Sequence, residues 1–186
     1  MLFQIACDGI GETESESAPR RIAESFSYPL GSREILTEAR DKKDDWYNAL
    51  DFGEENHLGE DWNKNSGGNT DCGEPVFSIA DGVVVYAQHA GAGWGNVIII
   101  EHLLPDGSRV ESLYGHLERI EKNSGEVRKG ELIGAVGNAD GKYLCHLHFE
   151  IRTEDSPMRG QPGAGYSTDR RGWVDPSEFI NLRYKP

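Results

Sequence analysis

PVFSIADGVVVYAQH, residues 75–89, is the stretch that decides the fold. Two runs of apolar and β-branched residues flank Asp81-Gly82, a pair that favours a tight turn between strands. GWGNVIIIEHLL (93–104), DGSRVESLYGHL (106–117), ELIGAVG (131–137) and LCHLHFEIR (144–152) repeat the pattern of short strand, turn and strand. Between Pro75 and Arg152 no apolar period of 3.6 persists long enough to build a helix. This span reads as an antiparallel β domain in a mostly β protein.

The flanks read differently. GEDWNKNSGGNTDCGEP (59–75) is almost entirely turn formers and is expected to be a long loop pinned by polar side chains. EILTEARDKKDDWYNALDFG (34–53) fits either a polar helix or an irregular loop anchored at Trp46, Tyr47 and Phe52. DGIGETESESAPRRIAE (8–24) is acidic and interrupted by proline, which suits a flexible leader or a short helix after Pro19. Near the other end, DPSEFI predicts a short helix from about Pro176, capped by Asp175 or Ser177. The resulting division is an acidic leader over 1–25 and one domain over 26–186.

Length and charge narrow the function. A chain of 186 residues can bury a real core and suits one principal domain. It carries 19 basic and 32 acidic residues, a net charge of −13, and residues 1–61 hold fifteen of the acidic but only six of the basic side chains. That balance argues against a nucleic-acid partner, which needs clustered Lys and Arg. No stretch approaches the roughly 18 apolar residues of a membrane span, and the first residues lack the basic region and cleavage site of a secretory signal. Cys7, Cys72 and Cys145 are too few and too scattered for a disulfide scaffold or a four-thiolate zinc site. One pair can bridge, with Cys72 and Cys145 as the candidates and isolated thiols as the alternative.

The chemistry lies in histidines. In CHLHFEI (145–151) a period of two sends His146 and His148 to one face, while Leu147 and Phe149 point to the core. The face with the imidazoles is expected to be accessible, and polar residues on a solvated strand face would look the same. HLGED (57–61) places His57 and Asp61 four apart around Gly59. Joined by one histidine of the later pair, they make a His2Asp set that leaves a zinc ion's fourth position to water. His116 in SLYGHLERI is expected to end a strand near a turn. His89 and His102 read as structural or solvent-facing.

In order and spacing these motifs resemble the M23 family, the LytM and lysostaphin type of zinc metallopeptidases with the duplicated hybrid motif domain. The family's HxxxD is matched by His57 to Asp61, GxPVxAxxDGxVxxA by Gly73 to Ala87, and GxGNxVxIxH by Gly93 to His102. YxHL is matched by Tyr114 to Leu117 and the final HLHFE by His146 to Glu150, so the motif core covers 57–151. The resemblance implies a β-sandwich-like domain with long loops over a groove. It implies His57, Asp61 and His148 as ligands of one Zn2+ per chain, and His116 and His146 as the catalytic, non-ligand histidines. Asn96 and Tyr114 would help shape the site.

The activity so implied is hydrolysis of peptide bonds in peptidoglycan stems or crosslinks by metal-activated water, in the cell envelope, periplasmic or secreted. His146 would act as general base or water positioner and His116 as oxyanion stabiliser or acid, or the two with these roles exchanged, with Glu150 a candidate acceptor for an imidazole N–H. The groove would be walled by the loops 57–75 and 152–173, with Trp62, Tyr143, Tyr166 and Trp173 as candidate aromatic walls. Cys145 stands where the family often has proline, and alternation points its side chain away from the metal shell. The competing reading is a catalytically silent relative that binds cell wall or activates a partner amidase, an envelope protein.

Overall fold

The computed structural model describes residues 21–31 and 45–184. In chain order the strands are β1 (Trp46–Leu50), β2 (Glu60–Lys64), β3 (Pro75–Phe77), β4 (Gly82–His89), β5 (Asn96–Leu103) and β6 (Arg109–Leu117). They continue as β7 (Arg119–Ile120), β8 (Gly125–Val127), β9 (Leu132–Ala135), β10 (Leu147–Thr153) and β11 (Trp173–Val174), before helix α1 (Pro176–Arg183). The larger sheet runs β1-β2-β10-β6-β5-β4-β8, and β11 joins β10 beyond the stretch that β2 pairs. A second sheet runs β3-β9-β7, and the strand pairings in both are antiparallel. The antiparallel β reading of 75–152 therefore holds.

Period-two alternation builds the core. Leu147, Phe149 and Ile151 of β10, Ile98 and Ile100 of β5 and Tyr114 of β6 share one buried cluster with Val76 of β3 and Ile133 of β9. The two sheets are thus joined by a common apolar interior, as a sandwich requires. A smaller cluster of Val97, Ile99 and Leu113 lies on the other face of the large sheet, under Tyr86, Ala90 and Trp94.

Three expectations are revised. The turn-forming stretch 59–75 contains a strand, because Glu60–Lys64 pairs with β1 on one side and β10 on the other. Trp62 buries its indole there, and pairing along both edges outweighs the weak strand propensity of Asp and Asn. In 34–53, residues 32–44 lie outside the described residues, while Trp46–Leu50 is β1 and Glu54–Asn56 a 3-10 turn. Most of the acidic leader also lies outside them. Within residues 21–25, however, Ala23 is buried and its N–H donates to the Leu103 carbonyl at 2.8 Å, so the boundary drawn at 25 falls inside a packed segment.

Cys72 and Cys145 form a disulfide with Cα atoms 5.2 Å apart, while Cys7 lies outside the described residues. The predicted helix is α1. Of its two candidate caps the structure uses Asp175, whose side chain accepts from the Glu178 N–H at 2.8 Å, with Pro176 opening the helix.

Candidate metal centre

Strand β10 carries the site on the face opposite the core. Its register sets His148 across from Asp61 of β2 on one side and Gly115 of β6 on the other. That face is covered, contrary to expectation: His148 is 3% exposed and Glu150 and Arg152 are fully buried. Asp61 reaches His148 because β2 lies directly against β10. Gly59 permits the approach, since a Cβ there would stand 2.3 Å from the Phe149 carbonyl oxygen. His57 arrives in extended backbone after the 3-10 turn and bridges to Tyr166.

These three residues bring together one ligand atom each. His57 Nε2 lies 2.9 Å from His148 Nδ1 and 3.3 Å from Asp61 Oδ1, and His148 Nδ1 lies 3.0 Å from that same oxygen. A tetrahedral zinc ion with bonds of about 2.0–2.1 Å has ligand–ligand edges of about 3.3 Å. The cluster matches one face of such a tetrahedron and can hold a metal ion.

Hydrogen bonding supports the same arrangement. His148 Nε2 donates to Glu150 Oε1 at 2.9 Å, which fixes the proton on Nε2 and aims the Nδ1 lone pair into the cluster. Burial pushes the Asp61 carboxyl up, but hydrogen bonds from His148 and His57 outweigh it and hold the group below the usual carboxylate range. Burial pulls His148 down, yet Asp61 and Glu150 raise it to about 9. Without a metal, a proton on His148 supplies the positive charge that these carboxylates favour, so the donor set fits a cation.

Two more imidazoles face this cluster. In β6, alternation sends Tyr114 to the core and Gly115 to the site, and would return His116 to the core. A register slip between β5 and β6 at this point, with a left-handed φ of 63° at His116, turns the ring to the site instead. Its backbone N–H and Nδ1 both meet the Trp94 carbonyl, at 2.9 and 3.2 Å. Asn96 secures the strand end by donating to the Leu117 and Glu118 carbonyls at 3.0 Å each.

His146 directs Nδ1 to the Leu144 carbonyl at 2.9 Å, leaving Nε2 3.8 Å from Asp61 Oδ1. The His116 and His146 ring centroids are 4.7 Å apart. With Nδ1–H engaged by a carbonyl, each ring offers Nε2 as a proton acceptor. In this tautomer His116 Nε2 carries no proton at rest. Burial, then the neighbouring His148 and His146, push His116 down to about 3, which keeps it neutral.

Above the cluster lies a cleft of about 280 Å³ bordered by Trp94, Lys142, Tyr143 and Tyr166. Of the proposed aromatic walls, Tyr143 and Tyr166 stand here with 40% and 49% exposure. Trp62 is in the core, and Trp173 is buried, donating its indole N–H to Glu150. Trp94, which sequence reasoning passed over, contacts both His116 and His148. The available signal was a tryptophan between Gly93 and Gly95, both left-handed, in an apolar run. Of the expected loops, 152–173 supplies a wall through Ala164–Tyr166, while 57–75 supplies only Asp61 to the lining.

The other candidates lie elsewhere. Tyr114 packs on Phe149 in the core and its hydroxyl accepts from the Ile79 N–H, so it does not shape the site. His102 is fully buried on the core side, held by the Asp81 carbonyl and Ser112. His89 is an exposed partner of Asp140. Cys145 is in the disulfide, away from the metal cluster.

Residues 55–160, more than half of the chain, match the family model of peptidase family M23. The chain belongs to peptidase family M23. The DD-carboxypeptidase/endopeptidase Mpg of Neisseria meningitidis is 40% identical over 86 residues, covering 46% of this chain and 19% of that protein. The murein hydrolase activator NlpD of Escherichia coli is 36% identical over 94 residues, covering 48% of this M23 chain and 24% of that protein. The matches thus span a quarter or less of these curated relatives. Among solved structures, a zinc-containing peptidase from Vibrio cholerae superposes with a TM-score of 0.51 at 26% identity, covering 79% of this chain and 41% of that one.

Proposed function

We propose that this M23 domain is a zinc-dependent endopeptidase that hydrolyses peptide bonds in the stems or crosslinks of peptidoglycan. The observation that carries the reading is the triangle of His57 Nε2, Asp61 Oδ1 and His148 Nδ1, open to the cleft at Asp61, with two further imidazoles facing it. These three residues would hold one zinc ion per chain. When bound, zinc would supply Lewis acidity, polarising the scissile carbonyl and lowering the pKa of water toward about 7.

The chain's own residues supply positioning and proton transfer. His146 Nε2, nearer to Asp61, accepts the proton of the attacking water. The departing amine is protonated from an imidazole that has first accepted a proton, His146 or His116. Tyr143 and Tyr166 would flank an extended peptide in the cleft, and Trp94 fixes the floor beside His116. The relatives named as an endopeptidase and as an activator of murein hydrolases support a role at peptidoglycan, and the Cys72–Cys145 disulfide suits an oxidising compartment such as the periplasm or cell exterior. No helix among the described residues is long and apolar enough to cross a membrane.

The likeness to NlpD favours a second reading, a silent domain that activates a partner hydrolase. One series separates the two. Zinc per chain is measured in wild type, His148→Ala and Asp61→Ala, followed by digestion of purified peptidoglycan and detection of new amino termini. Near one zinc in wild type, lost in both variants, with metal-dependent new termini, supports the peptidase. Zinc binding without cleavage supports the activator, and absence of zinc removes the metal assignment.

A further inference from the structure

We propose that Arg152 is a positioning residue that fixes the metal ligand His148 and the cleft wall together, through one buried ion pair with Glu150. The inference rests on the metal site proposed above and adds the device that ties it to the substrate cleft.

Glu150 divides its two oxygens. Oε1 accepts from His148 Nε2, while Oε2 accepts from Arg152 Nε at 2.7 Å and from the Trp173 indole at 2.7 Å. Arg152 is fully buried, brings Nη2 to the same Glu150 oxygen at 2.6 Å, and turns its guanidinium nitrogens to the chain that follows as well. It donates to the Met158 carbonyl at 2.9 Å and to the carbonyls of Gln161 and Pro162.

The segment from 157 to 167 forms no helix or strand, so its backbone groups need partners from elsewhere. Farther along it, the Gly163 carbonyl accepts the Trp94 indole at 3.0 Å and the Gly165 carbonyl accepts the Leu58 N–H at 2.9 Å. Tyr166 then lies against the His57 ring, with centroids 4.9 Å apart. A continuous path therefore runs from His148 through Glu150 and Arg152 to the wall that carries Tyr166.

Covering a strand face does not require a guanidinium, since an apolar side chain would do so without the cost of burying charge. Only a planar fork of donors can hold one carboxylate and three carbonyls at fixed angles. Glu111 provides an internal control. It stands on β6 directly across from Arg152 and holds the same segment independently, accepting the Gly160 N–H at 3.0 Å.

Zinc affinity by competition with a chromogenic chelator, His148 tautomer by nitrogen NMR of zinc-free protein at a pH above about 9, where the ring is neutral, and KM on a peptidoglycan peptide are compared across Arg152→Lys, Arg152→Met and Glu111→Gln. Circular dichroism confirms folding. The Arg152 variants are expected to lose zinc affinity about 10- to 100-fold, to shift His148 from its Nε2–H form, and to raise KM. Glu111→Gln is expected to raise KM and leave affinity within about twofold, below that range.

Folded Arg152 variants with unchanged affinity and tautomer overturn the proposal. Should they fail to fold, Trp173→Phe removes the other donor to the same carboxylate oxygen. A several-fold affinity loss in it supports the mechanism, and none overturns it. If wild type binds no zinc the metal reading falls, while the His148 tautomer still decides whether Arg152 positions that ring.

Discussion

The two faces of β10 are buried to the same degree and built from opposite chemistry. On one, Leu147, Phe149 and Ile151 are fully buried among apolar neighbours from both sheets. On the other, His148, Glu150 and Arg152 are 3%, 0% and 0% exposed and satisfy one another through hydrogen bonds. Alternation of polarity along a strand therefore does not imply alternation of exposure. The apolar face gains from leaving water, whereas the polar face tolerates burial because its charged groups are paired. The first should govern stability and the second metal binding and chemistry, and substitutions can separate them.

The largest effect is expected on the polar face. Asp61→Ala removes one corner of the ligand triangle and should lower turnover on a peptidoglycan peptide by at least about a thousandfold, a barrier change of about 4 kcal/mol. Its circular dichroism should remain that of a folded β protein. Turnover within about tenfold of wild type, little more than 1 kcal/mol, would mean that chemistry does not depend on this face.

Phe149→Ala inverts the experiment. The ring packs against Tyr114 with no solvent contact, and its removal should cost about 3–5 kcal/mol in urea unfolding. The fraction that remains folded should still bind one zinc. Loss of zinc from folded molecules would show that the faces are coupled through the strand.

Cys145 extends the core side of the same chain run, and its disulfide closes a sequence separation of 73 residues. Replacing both partners by serine should cost about 2–4 kcal/mol, read as the shift in urea midpoint against wild type. A midpoint unchanged by replacement, and by reductant in wild type, would assign the stability of this region to non-covalent packing alone.

How far the sequence reveals these faces depends on the range of the interactions involved. Leu147 and Phe149 declare their direction through period two, and the HxH and HxxxD spacings bring out His148, His57 and Asp61. Strand β2 was hidden because Asp61, Asn63 and Lys64 look like turn residues until β1 and β10 are seen to pair on both sides. His116 was predicted near a strand end, but its direction depends on a register slip and a left-handed backbone that alternation cannot foresee. The cover over the polar face was also illegible. Residues 157–167 have no periodicity and are held by Arg152, Glu111 and Trp94, contacts defined only by the folded chain.

Two buried histidines offer the finest test of the contrast. His148 sits between carboxylates and is raised to about 9 despite burial. His102, on the core side, meets a carbonyl and a hydroxyl instead, and burial pushes it down to about 4. In zinc-free protein their linkage to stability runs in opposite directions. The contribution of His148 is fully present below its ordinary value of 6.5 and is lost as pH rises through about 9. That of His102 is present above 6.5 and is lost as pH falls toward about 4, because the unfolded chain takes up a proton that the buried ring refuses. The loss for His102 amounts to at most about 3 kcal/mol. His102→Gln should therefore flatten the acid side of a urea-derived stability profile and leave the alkaline side unchanged. A profile that falls as steeply in this variant would place the acid sensitivity elsewhere, and would undo the claim that neutral partners and charged partners bury the same ring with opposite consequences.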